Sequence, residues 1–177
     1  QGSNPVLVPL CGKSRDMLWL REQGHPVDGF ELSELAITQF FDENNLSAER
    51  SEVGPYQCHR PADLRIYQGD FFAAPELGQR YRLVYDRAAL IALPGAMRRQ
   101  YAALMSRLVE AGGQGLLVTL EYQPEQQQQP PVSVGRWRCA PCLSATLVSR
   151  CWAGGRSWIT PGCSRGSSPI STRWLTG

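Results

Sequence analysis

The chain has 177 residues, 42% of them hydrophobic and 19% charged, which fits one globular domain with a sizeable core rather than a disordered or fibrous chain. No run of about 18 apolar residues occurs, so no membrane helix is expected, and the first residues (QGSNPVLV) lack the basic and apolar parts of a signal peptide. The net charge of +2 conceals a division: all 16 acidic residues lie at or before Glu125, giving −4 up to there, while residues 126–177 hold six Arg and no acid, giving +6. Those Arg fall on no single periodic face, so a cytoplasmic protein with no membrane or nucleic-acid partner is expected.

Val6–Leu10 is short, apolar and ended by a Cys-Gly turn, the pattern of a buried parallel strand. Ser14 is placed to cap a helix whose apolar stripe is Met17, Leu18 and Leu20, ending at Gly24. Val27–Glu31 reads as a second strand, and Ser33 caps a helix with Leu35, Ala36, Ile37, Phe40 and Phe41 as its core face. Residues 44–63 are polar and read as an irregular inserted loop. Leu64–Gln68 and Tyr81–Asp86 are the third and fourth strands, with Gly69-Asp70-Phe71-Phe72 between them. Pro94 opens a helix through Met97, Tyr101, Leu104 and Leu108 to Gly112-Gly113, and Gln114–Leu120 is a fifth strand. This alternation predicts a doubly wound α/β sheet.

The order then breaks. Residues 123–131 (QPEQQQQPP) are a Gln/Pro stretch, and from Gly135 no period of 2 or 3.6 survives, so no strand is predicted there. Charge, Cys and Trp content switch together, as a shifted reading frame would make them; a basic, disordered tail is the alternative. The division expected is therefore a core over 1–134 and an atypical Cys/Trp/Arg-rich tail over 135–177. Four Cys lie in that tail, but only Cys139-Ala-Pro-Cys142 has ligand spacing and neither a second pair nor His follows, so no metal site is expected.

Chemistry concentrates at the ends of the predicted strands. Gly12-Lys13-Ser14 invites a phosphate loop, but that motif needs Gly where Leu7 stands. Glu31 lies 21 positions past Leu10, a spacing that suits a carboxylate reaching ribose hydroxyls, yet G-x-G-x-x-G is absent. A nucleoside without phosphate tolerates the bulkier loop, and S-adenosylmethionine is such a ligand. Its amino-acid end would rest near the Leu10–Gly12 turn, its ribose at Glu31 and its adenine near Asp70. Asp86 and Arg87 fall at the carboxyl edge of the fourth strand; a local Asp86–Arg87 ion pair is the alternative use.

The segments VLVPLCGKSRDMLWL (6–20), GFELSE (29–34), GDFF (69–72), YDRAALIALP (85–94), TLEY (119–122) and PPVSV (130–134) resemble, in order and spacing, the bacterial thiopurine S-methyltransferases. The resemblance covers about residues 5–134. It implies a Rossmann-like class I methyltransferase fold, a seven-stranded sheet with helices on both faces, incomplete here at both chain ends. A Trp-rich segment that precedes this region in the family has no counterpart, Val132 replaces the family's Phe and Gln123 its Asp. The implied activity is methyl transfer from S-adenosyl-L-methionine to the sulfur of a small aromatic or heterocyclic thiol, by a monomer. Leu10, Glu31, Asp70 and Arg87 are the implied cofactor contacts, with Arg87 also beside the methyl acceptor.

Overall fold

The computed structural model describes residues 4–87, 89–120, 149–153 and 156–160, with side chains described as far as residue 118. In chain order the elements are β1 (Val6–Val8), α1 (Asp16–Glu22), β2 (Val27–Glu31), α2 (Glu34–Glu43), β3 (Glu49–Val53), β4 (Tyr56–Arg60) and β5 (Leu64–Gln68). A 3₁₀ helix (Phe71–Leu77), β6 (Tyr81–Arg87), α3 (Ala89–Ala92), α4 (Gly95–Leu108), β7 (Val109–Leu120), β8 (Ser149–Ala153) and β9 (Arg156–Thr160) follow. Among the described residues the strands make one sheet in the order β3-β4-β5-β2-β1-β6-β7-β8-β9. The seven from β5 to β9 match the number the resemblance implies, and the β3–β4 hairpin adds two more.

β1 is central and pairs in parallel with β2 on one side and β6 on the other. Its three residues are all buried, with Val6 and Val8 in one core and Leu7 in the opposite one. A strand covered on both faces favours apolar side chains at every position, which is why Val6-Leu7-Val8 reads as an unbroken apolar run. One core packs α1 and α2 through Met17, Leu20, Ile37 and Phe40. The other packs the 3₁₀ helix, α3 and α4 through Phe71, Leu90, Tyr101 and Leu108. Phe30 centres an aromatic group in that second core: Tyr67 stacks on it at 4.9 Å, and Tyr56 and Phe71 meet it edge-on at 5.4 and 5.2 Å.

From β1 the chain steps outward through β2 to β5, then crosses back to the other side of β1 as β6. Connections leave β1 and β6 in opposite directions, which opens a crevice at the carboxyl ends of those two strands. The opposite edge is stapled. Asp28 is 1% exposed and takes both Arg65 Nε and Nη2, at 2.6 and 2.7 Å, and the Tyr81 hydroxyl at 3.1 Å. These groups join β2, β5 and β6 at the end away from the crevice.

Several expectations are corrected. Residues 44–63 are not irregular: β3 and β4 form a hairpin, and β4 pairs antiparallel with β5. Every residue of β3 is exposed, so no burial period marks it in the sequence; its charges suit an unpaired edge. The N-cap position of α1 is Arg15 rather than Ser14, whose Oγ accepts from Asp16 N–H at 3.3 Å. Leu35 faces solvent, not the core. α4 stops at Leu108 and β7 starts at Val109, before the glycine pair rather than after it. The tail, in which no strand is predicted, supplies β8 parallel to β7 and β9 antiparallel to β8. The Gln/Pro stretch, PPVSV and Cys139-x-x-Cys142 lie outside the described residues.

Candidate functional site

The turn after β1 is built with unusual backbone. Leu10 has φ +46° and Gly12 φ +52°. A positive φ costs Gly little, but for a bulky side chain it is strain held by the surroundings. Those surroundings are identifiable. Cys11 N–H donates to the Phe30 carbonyl at 2.9 Å, and Ser14 N–H to the Cys11 carbonyl at 3.0 Å. The Cys11 side chain sits on Gly29, where a Cβ would fall 2.9 Å from Cys11 Sγ and 3.0 Å from Met17 Sδ. Only glycine lets the turn pack this closely on β2. Burial, with the Glu31 charge second, pushes the Cys11 thiol well above its ordinary range, so it is no thiolate nucleophile.

Glu31, at the end of β2, closes the turn. Its Oε2 accepts from Gly12 N–H at 2.8 Å and its Oε1 from Ser33 N–H at 2.8 Å. Its backbone carbonyl accepts from Gly69 N–H at 3.0 Å. One residue thus joins the turn after β1, the start of α2, where Ser33 Oγ caps Ala36 N–H at 3.2 Å, and the loop after β5. Each carboxylate oxygen keeps a further lone pair for a ligand.

Asp70 lies in that last loop and is exposed. Its Oδ1 caps the 3₁₀ helix by accepting from Phe72 N–H at 2.9 Å, and its carbonyl accepts from the Tyr56 hydroxyl at 2.7 Å. Gly69 is required beside it: a Cβ there would fall 2.7 Å from the Tyr56 ring.

Asp86 and Arg87 do not pair with each other, because neighbours on a strand point to opposite faces. Asp86 is buried and takes the Tyr101 hydroxyl at 2.6 Å and Ala89 N–H at 3.0 Å. Burial pushes its carboxyl up to about 6, against the pull of those donors. Arg87 reaches the other way, Nη1 donating to Asp16 Oδ2 at 2.7 Å in the first turn of α1. The same oxygen accepts from the Tyr85 and Ser14 hydroxyls, each at 3.0 Å. Partial burial opposes ionisation of Asp16, but the bonds from Arg87, Ser14 and Tyr85 outweigh it and hold the carboxyl below its usual range. Burial and the Asp16 charge push the Tyr85 hydroxyl up to about 12.

The structure therefore puts Leu10 and Glu31 in one connected turn, Asp70 in the neighbouring loop, and Arg87 across the switch point at the end of β6. Sequence reasoning missed Asp16 and Tyr85. The signal available was Tyr85 and Arg87 two apart on one strand face, with an acid in the first turn after the β1 loop. Among the described residues no three Cys, His, Asp or Glu side chains converge as metal ligands would. His59 is buried in the sheet, stacked on Phe41 and bonded to Gln68 at 2.9 Å.

The family model of thiopurine S-methyltransferase matches residues 1–163. The chain belongs to the thiopurine S-methyltransferase family. Thiopurine S-methyltransferases of Shewanella sp. (strain MR-7) and Shewanella baltica (strain OS155 / ATCC BAA-1091) are each 49% identical over 130 residues, 73% of this chain and 60% of the relative. The chain thus spans about 60% of the length of the curated family members it matches. The crystal structure of the glycopeptide N-methyltransferase MtfA complexed with sinefungin superposes with a TM-score of 0.52 at 24% identity, over 72% of this chain and 51% of that one. The class I methyltransferase fold is common to both. No helix among the described residues is long and apolar enough to cross a membrane.

Proposed function

We propose that the chain binds S-adenosyl-L-methionine in the crevice between β1 and β6 and serves methyl transfer to the sulfur of a small aromatic or heterocyclic thiol. The observation that carries this reading is the hydrogen bond from Gly12 N–H to Glu31. In a phosphate-binding loop that N–H is free for an anion. Here a carboxylate already occupies it, so a phosphate would meet negative charge at short range, while a sulfonium nucleoside would not. The remaining lone pairs of Glu31 suit two adjacent ribose hydroxyls. Leu10 lines the turn, and Asp70, on the next loop, is available to an exocyclic amine.

When bound, S-adenosyl-L-methionine supplies a methyl carbon already activated by a sulfonium, whose departure leaves a neutral thioether. The chain's task is then alignment and exclusion of water more than acid–base chemistry. Arg87 favours the ionised, delocalised form of the thiol, which ionises readily and needs no dedicated base. That fits a site where Cys11 is held as a thiol and His59 is buried elsewhere. The core of this site is read as falling in residues 1–134, with residues 135–177 an atypical tail whose β8 and β9 extend one end of the sheet.

Titration calorimetry of the chain with S-adenosyl-L-methionine and with ATP tests the binding, and a methylation assay with a heterocyclic thiol tests the transfer. Heat with the first ligand alone supports the reading, and heat with ATP alone defeats it. The change in composition after Glu125 favours one second reading, a core that binds the cofactor without turnover. Binding without methylation would establish that reading instead.

A further inference from the structure

We infer that Asp16 is the positioning residue for Arg87 and locks it to the turn after β1. The inference rests on the reading above, in which Arg87 faces the cofactor and thiol. Arg87 sits at the last position of β6 with its side chain 58% exposed. A long side chain there samples many rotamers unless something holds it. Asp16 does so with a charge-assisted bond of 2.7 Å. The carboxylate is itself fixed. Its Oδ2 also takes the Tyr85 hydroxyl from the same face of β6 and the Ser14 hydroxyl from the turn, each at 3.0 Å. Ser14 N–H bonds the Cys11 carbonyl, and the adjacent Gly12 N–H bonds Glu31. Hydrogen bonds joined through the Cys11–Gly12 peptide and Ser14 therefore link Glu31 to Asp16 and Arg87.

An exposed ion pair adds little to fold stability. Its value here is order: the guanidinium is placed before the ligand arrives, so binding need not organise it. Asp16 engages Nη1 only by a direct bond, leaving much of the guanidinium facing solvent for the ligand.

A double-mutant cycle on the full chain tests this, read by calorimetry with S-adenosylhomocysteine as probe. Asp16→Asn and Arg87→Gln are each expected to weaken binding about tenfold, and the double variant no further than Arg87→Gln alone, since coupled residues fail to add. Tyr85→Phe, which removes one donor and keeps the ring, should weaken binding by about two- to threefold. Asp16→Glu should recover most of the loss. Side-chain nitrogen NMR supplies a second readout: rotation of the Arg87 guanidinium should be slow in the unmodified chain and fast in Asp16→Asn. Additive effects in the cycle overturn the inference while leaving the site intact. Tighter binding by Asp16→Asn overturns it too, since Asp16 would then compete with the ligand for Arg87. Failure of the unmodified chain to bind the probe defeats the reading of the site itself, and this inference with it.

Discussion

Glu31→Gln separates the local and ligand roles of one side chain. The carboxylate accepts two backbone N–H bonds at 2.8 Å, one on each oxygen. An amide offers one acceptor oxygen and one NH₂ donor. Whichever way it turns, its donor meets either Gly12 N–H or Ser33 N–H. A hydrogen bond to a charged acceptor contributes about 1.5–3 kcal/mol, and leaving a buried donor unmet costs about 1–3 kcal/mol. Glu31 is only partly buried, so water relieves some of that cost, and a loss of about 1–2 kcal/mol in stability is expected. Binding should suffer more. The ligand loses the charged acceptor, and the turn that carries Leu10 at φ +46° loses its tie. Together these predict about 2–3 kcal/mol in affinity, a rise in Kd of about 30- to 150-fold. Calorimetry with S-adenosyl-L-methionine measures the affinity, and denaturant unfolding measures the stability. If stability falls as expected but Kd moves less than about threefold, Glu31 is a structural clasp and the ribose assignment is wrong.

Three further outcomes follow from contacts already described. Gly29→Ala places a methyl 2.9 Å from Cys11 Sγ and should destabilise by about 1–3 kcal/mol, with Cys11→Ala in the same chain restoring most of it; no rescue would mean that Met17, at 3.0 Å, is the clash. Arg65→Met strands the buried Asp28 and should cost about 3–5 kcal/mol in unfolding experiments while leaving cofactor affinity unchanged, because the staple lies at the far edge of the sheet. The raised Asp86 carboxyl gives a stability contribution that is full below the unfolded value of 3.8 and lost as pH rises through about 6. Its removal in Asp86→Asn should therefore abolish about 2 kcal/mol of decline between pH 4 and pH 7, and an unchanged pH profile would refute the assignment.

What the sequence made legible follows from which features are local. β1 announces itself because both of its faces are buried and its apolar run, Val6-Leu7-Val8, is unbroken. β3 left no trace because Glu49–Val53 buries nothing, and its strand state comes from pairing with β4. β8 and β9 were hidden because no period of 2 marks their segments in the sequence. Leu35 misled because a helical period marks a stripe without saying how wide the buried part is; Ile37, Phe40 and Phe41 take the core and Leu35 falls beyond its rim. The polar pairings were hidden for a different reason. Asp16 and Arg87, or Asp28 and Arg65, meet only once the strand order is known.

The two edges of the sheet show how that order divides labour between acids of similar chemistry. At the closed edge Asp28 meets a bidentate Arg and a Tyr hydroxyl and is buried, out of a ligand's reach. At the open edge Glu31 and Asp70 spend part of their capacity on backbone N–H groups of loops, and Asp16 spends one oxygen on three side-chain donors. The N–H groups of Gly12, Ser33 and Phe72 are met by these carboxylates, so the acids help to build the turns. Those acids then arrive at the switch point ordered and partly partnered. A site of that kind disfavours phosphates and accepts hydroxyls, amines and a positive charge, which is the chemical character of a sulfonium nucleoside. The loop that fails as a phosphate cradle for want of glycine at Leu7 is thus suited to the proposed ligand by the same carboxylate that closes it.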